Sequence, residues 1–159
     1  MKLLLLLSLL ISSADTASAQ SPLKPGAWEL VTRVTSLPPN GAAEKIVHEE
    51  RSERCVTPQF IATDPYMNPE KDNHKVGGGE CQTSNYTRME TSANWLMICT
   101  VPNVGRVESA IRATVRERDF RNEMTNAISR VDGSNQTVRL VTVGRYIGEC
   151  QSQMKPLTP

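Results

Sequence analysis

Residues 103–131, NVGRVESAIRATVRERDFRNEMTNAISRV, decide the fold class. Val107, Ile111 and Val115, then Phe120, Met124 and Ile128, recur every four positions. Four lies close to the helical period and is also twice the strand period. One reading is a single long amphipathic helix. The other is a hairpin with Val107, Ser109, Ile111, Ala113 and Val115 facing inward and Glu108, Arg112 and Arg116 facing outward. Arg118-Asp119 would then turn the chain, and Phe120, Asn122, Met124, Asn126 and Ile128 would form the returning face. Pattern alone leaves the two open.

The flanks are strand-like on both sides. Downstream, Asp132-Gly133 with Ser134-Asn135 is a hairpin signal, and residues 137–147 form a Val-rich run. Upstream, Cys81 and Cys99 bracket two strand-like runs, 82–89 and 93–98. If Cys81 faces Cys99, Thr83 faces Met97, Asn85 faces Trp95 and Thr87 faces Ala93. A non-hydrogen-bonded antiparallel pair brings Cα atoms to about 4.5 Å, inside the disulfide range. Cys55 then pairs with Cys150, joining the early chain to the last strand. None of the four cysteines sits in a C-x-x-C pair, so a thioredoxin-type site and a zinc ribbon both lose support.

Nearer the start, Lys24-Pro25-Gly26 is a turn-like entry to a strand over residues 28–37, with Trp28, Leu30, Thr32 and Val34 on one face. Pro38-Pro39-Asn40-Gly41 ends it. Residues 44–54 return as a strand, and Glu49, Glu50, Arg51, Glu53 and Arg54 mark it as an exposed edge. Thr57-Pro58 reads as an N-cap and first helical position for a short helix through Phe60, Ile61 and Ala62. Residues 64–79, with two prolines and Gly77-Gly78-Gly79, read as a mobile surface loop.

Met1-Lys2, an apolar run over residues 3–11 and Ala17-Ser18-Ala19 have the layout of an export signal cleaved after Ala19. The apolar run is shorter than the ~20 residues that a membrane-spanning helix needs. Residues 20–159 are then a single domain, with no later segment apolar enough to cross a membrane. Beyond residue 19 the chain keeps all its Val but only six Leu, a β-branched bias that favours strands. Export and an even cysteine count imply disulfides in an oxidising compartment.

Four motifs carry a resemblance: Lys24-Pro25-Gly26-Ala27-Trp28-Glu29, Cys55-Val56-Thr57-Pro58, the Cys81 to Cys99 unit containing Trp95, and Gly144-Arg145-Tyr146-Ile147-Gly148-Glu149-Cys150. In this order they resemble the exported bacterial domain-of-unknown-function family 3617. Its members typically open on Lys-Pro-Gly-Leu-Trp-Glu and end on a Gly-Arg and Gly-Asp-Cys pattern; Ala27 and Glu149 depart from that. The likeness covers nearly all the chain after residue 19. It implies a periplasmic, mainly antiparallel β-protein, and so tips residues 103–131 toward two strands. The expected fold is a single curved antiparallel sheet or meander with one short helix after the first cysteine and two disulfides, Cys55–Cys150 and Cys81–Cys99. The resemblance implies no activity or ligand.

Catalytic chemistry finds little support. The two histidines, His48 and His74, lie in no ligand pair, and Glu70-Lys71-Asp72-Asn73-His74 reads as a solvated tract rather than a metal site. No nucleophile elbow or phosphate loop occurs. No catalytic residue, metal or cofactor is assigned. Net charge is +1 with seven aromatics, which removes the simplest case for nucleic acid. Trp28 and Trp95 read as core, with Trp95 placed to cover the Cys81–Cys99 bridge. The expectation is a periplasmic, non-enzymatic binding module for a small or apolar ligand, held in a lipocalin-like groove of a curved sheet. The alternative is an envelope structural or interaction protein using a weakly basic face made by Arg106, Arg112, Arg116, Arg118, Arg121, Arg130, Arg139 and Arg145.

Overall fold

The computed structural model describes residues 22–39, 42–64, 66–69 and 78–157. The expected leader and the Glu70–His74 tract lie outside them. Along the described chain run β1 (Gly26–Leu37), β2 (Lys45–Val56), α1 (Pro58–Ala62), β3 (Glu80–Arg88), β4 (Ser92–Val101), β5 (Gly105–Val115), β6 (Asp119–Arg130) and β7 (Asn135–Gly148). The strands form one antiparallel sheet in the order β2-β1-β7-β6-β5-β4-β3. Residues 103–131 are therefore a hairpin, with Val107 opposite Ile128, Ile111 opposite Met124 and Val115 opposite Phe120. The four-residue repeat is every second inward position of two strands.

The order follows from one crossing. β1 and β2 pair as neighbours, and the chain then travels to the far edge before returning through β3 to β7 as a meander that closes on β1. The crossing begins with α1. Its N-cap is Thr57, whose Oγ1 accepts the Phe60 N–H at 3.1 Å, and Pro58 opens the helix where no N–H is needed.

Residues 64–69 were expected in a mobile surface loop, and the structure corrects this. Tyr66 stacks on Phe120 with ring centroids 4.4 Å apart, and Met67 is fully buried. Phe60, Ile61, Tyr66 and Met67 supply apolar cover for one face of the sheet. Beneath it lie Trp28 and Leu30 from β1, Ala93, Trp95, Met97 and Cys99 from β4, Ile111, Ala113 and Val115 from β5, and Phe120 from β6.

The β3–β4 register is as expected from Cys81↔Cys99 through Thr83↔Met97 and Ser84↔Leu96, then departs from it. Thr87 faces Asn94 and Arg88 faces Ala93, because one extra residue enters β3 after Ser84. Asn85 takes the left-handed conformation there (φ 53°), which asparagine tolerates better than most residues. The bulge turns Tyr86 and Arg88 to the covered face. The Tyr86 hydroxyl donates to the Met67 carbonyl at 2.7 Å and its ring meets Trp95 edge-on; Arg88 pairs with Asp64. Burial alone would lower the Arg88 pKa, but Asp64 and Tyr86 outweigh it and raise it. Tyr86 is thus an aromatic partner of Trp95, which shares its strand face with Cys99.

Candidate functional site

The family-like motifs at the two ends of the chain meet in space. β1 pairs with β7 so that Ala27 faces Gly148 and Trp28 faces Tyr146. Trp28 is fully buried, donates its Nε1–H to the Lys24 carbonyl at 3.0 Å, and packs against Phe120 and Tyr146. Lys24 Nζ lies 4.9 Å from the Tyr146 ring centroid. A side chain at Gly26 (φ 141°) would strike Tyr146 and the Gly148 carbonyl. Cys55–Cys150 closes this corner with Cα atoms 5.3 Å apart. The chain after it folds back beside β2: the Cys55 N–H donates to Lys155 O and the Leu157 N–H to Cys55 O. Cys81–Cys99 ties β3 to β4 at a Cα separation of 4.0 Å. These motifs hold the sheet together.

Among the described residues, the covered half of the inner face is filled and does not form the lipocalin-like groove that the sequence raised. Trp28, Trp95, Phe120 and Met67 fill its covered half at 2 % exposure or less, with Tyr66 stacked on Phe120. Six of the eight arginines of the expected basic face have an acidic partner within 4.0 Å. Arg106 pairs with Glu108 and Arg121 with Glu123, both at 2.8 Å. Arg116 pairs with Asp119, Arg118 with Glu117, Arg139 with Glu44 and Arg145 with Glu29. Arg130 donates to Gln136. Most of the eight cations are thus locally balanced.

What remains is the outer face over β4, β5 and β6. Three cross-strand rows define it. Asn94, Arg112 and Glu123 are in register, as are Leu96, Ala110 and Thr125, and then Ile98, Glu108 and Ala127. Outward side chains of one face stand in such rows because strand side chains alternate. Short side chains at Ala110, Thr125 and Ala127 lie between long ones at Arg112, Glu123 and Glu108. The result is a trough.

One end of the trough has a volume of about 390 Å³ and is lined by Asn85, Asn94, Leu96, Ala110, Arg112, Glu123 and Thr125, with Trp95 and Ile111 beneath. The other is about 250 Å³ and is lined by Leu96, Ile98, Glu108, Ala110, Thr125 and Ala127, with Met97 and Ser109 beneath. Leu96, Ala110 and Thr125 are common to both, so the two are continuous. Leu96 stays 40 % exposed in its floor. The bulge matters here as well, since it leaves Asn85 at the rim while Tyr86 turns inward. Of these residues the sequence singled out Arg112 alone for binding, and only as one member of the basic face. The signal was present only as small residues at outward strand positions.

Among the described residues, no three His, Cys, Asp or Glu side chains come together in a metal-binding arrangement. His48 is exposed on β2, 3.9 Å from Glu50. No helix among the described residues is long and apolar enough to cross a membrane. The two disulfides fit a protein that folds outside the reducing cytosol.

No curated protein and no solved structure matches the chain. A family model described as a protein of unknown function, DUF3617, matches residues 23–150, from the buried Leu23 ahead of β1 to the second cysteine of the long-range disulfide. With its end motifs locked together around Trp28 and Tyr146, the chain belongs to the DUF3617 family.

Proposed function

We propose that this protein is an exported, periplasmic, non-catalytic binding module. Its outer-face trough takes a small ligand with an apolar part. The observation that carries this is the continuous depression built by Ala110, Thr125 and Ala127, with Leu96 left open in its floor. Pockets for small molecules are concave and mostly apolar, with a few polar groups that fix orientation. Export is supported by the leader-like start of the chain and by the disulfides. The lack of catalysis is a reading of the sequence, which offers no recognisable catalytic constellation.

A neutral apolar dye, N-phenylnaphthylamine, tests the reading. Its fluorescence is expected to rise on binding wild-type protein, and Ala110→Trp is expected to remove most of that rise by filling the trough. Ala110 is exposed, so its replacement is expected to shift thermal stability little. Equal enhancement by wild type and Ala110→Trp, or none by wild type, would sink the proposal.

A further inference from the structure

The two ends of the trough differ in chemistry, and the difference points to a class of ligand. At one end the carboxylate of Glu123 is held by Arg121 at 2.8 Å. At the other, Glu108 is held by Arg106 at the same distance. Arg112 lies between Asn94 and Glu123 in the cross-strand row, and among the described residues it has no ion-pair partner within 4.0 Å. With Arg121 and Arg106 counted beside the two acids they pair, the trough and its rim carry one positive charge in excess, and Arg112 stands at the end that also carries the amides of Asn85 and Asn94. The opposite end offers Leu96, Ile98, Ala110 and Ala127.

We infer that the trough takes an anionic amphiphile. Its acidic head sits at Arg112, on the side of the asparagines, and its apolar chain lies along Leu96 and Ile98. The inference rests on the trough being the binding site, as proposed above. A carboxylate or a phosphate monoester fits the head equally well, because a guanidinium matches both geometries with paired N–H donors. Asn94 to Ile98 spans about 13 Å of strand, which sets the length of chain the trough can cover. The ion pairs at Glu123 and Glu108 act as a filter: they leave no free carboxylate to favour a cationic head over an anionic one.

Displacement of N-phenylnaphthylamine by octanoate, octanol and octylamine tests the assignment. Octanoate is expected to displace the dye at roughly tenfold lower concentration than octanol, the scale of one charge-assisted contact. Octylamine is expected to do no better than octanol. Arg112→Gln is expected to raise the octanoate requirement roughly tenfold and leave octanol unchanged. Equal displacement by octanoate and octanol, or an octanoate preference that survives Arg112→Gln, would overturn the anionic assignment while leaving the trough as the site. A dye signal insensitive to Ala110→Trp would overturn both. Octyl phosphate separates the two head chemistries: displacement as good as that by octanoate, and equally sensitive to Arg112→Gln, supports the shared anion site. Octyl phosphate that displaces no better than octanol would overturn the general anion reading.

Discussion

Replacing both Cys55 and Cys150 with alanine is expected to cost about 4.7 kcal/mol of folding stability, and replacing Cys81 and Cys99 about 3.2 kcal/mol, in the chain-entropy picture. The difference comes from loop length. The first bridge joins residues 95 apart and the second joins residues 18 apart. Closing a longer loop removes more freedom from the unfolded chain. The long bridge also anchors the returning segment, whose Lys155 carbonyl and Leu157 N–H pair with Cys55. Total stabilities of single domains are of order 5–15 kcal/mol, so loss of the long bridge leaves little in reserve. Urea denaturation of the two double variants measures this. Equal losses, or a larger loss from the short bridge, would mean that the unfolded chain is already restrained near Cys55 and Cys150.

A second large effect is expected at Gly144. A Cβ there would lie 2.0 Å from Cε1 and 2.5 Å from Cδ1 of Phe120. The ring has no easy retreat: it is stacked on Tyr66, sits 5.6 Å from Trp28 and is 2 % exposed. Gly144→Ala therefore forces Phe120 out of position and is expected to cost about 3 kcal/mol, at the upper end of overpacking effects. Phe120→Ala is expected to cost about 3–5 kcal/mol by emptying the same space. The two changes answer each other, so the double variant should be more stable than the sum of the single losses implies, by about 2 kcal/mol. Strict additivity in denaturant midpoints would show that the contact between Gly144 and Phe120 is not what makes glycine necessary there.

These effects show why part of the fold was readable in advance. The strand over 137–147, the edge charges on β2 and the Thr57-Pro58 helix start are local signals, and local physics produces them. Residues 103–131 were ambiguous for a physical reason. Ser109 and Ala113 are buried but small or polar, and Asn122 and Asn126 occupy inward positions on β6, so the alternation that marks a strand was diluted. Asn126 accepts a hydrogen bond from the buried Ser109 hydroxyl at 2.7 Å. Such a pair becomes visible only once the strands are in register.

The β3 bulge is harder still. Asn85 signals a possible left-handed residue, but only Asp64 and Met67 on the crossing segment show why Arg88 and Tyr86 must face inward. Residues 64–79 read as loop because of Pro65, Pro69, the charges and the three glycines, while Tyr66 and Met67 were the better guide to the first part. The trough was the least legible feature. Its makers are Ala110, Thr125 and Ala127, residues without distinctive chemistry, and their meaning comes from the register of β4, β5 and β6.

Backbone amide shifts of the isotopically labelled protein, followed as octanoate is added, locate the binding face directly. The expected result is a contiguous set of shifts at Asn94, Leu96, Ile98, Ala110, Arg112 and Thr125, with little change around the crossing segment. Shifts centred instead on Trp28, Tyr66, Met67 and Phe120 would contradict an outer-face site and place the ligand under the crossing segment.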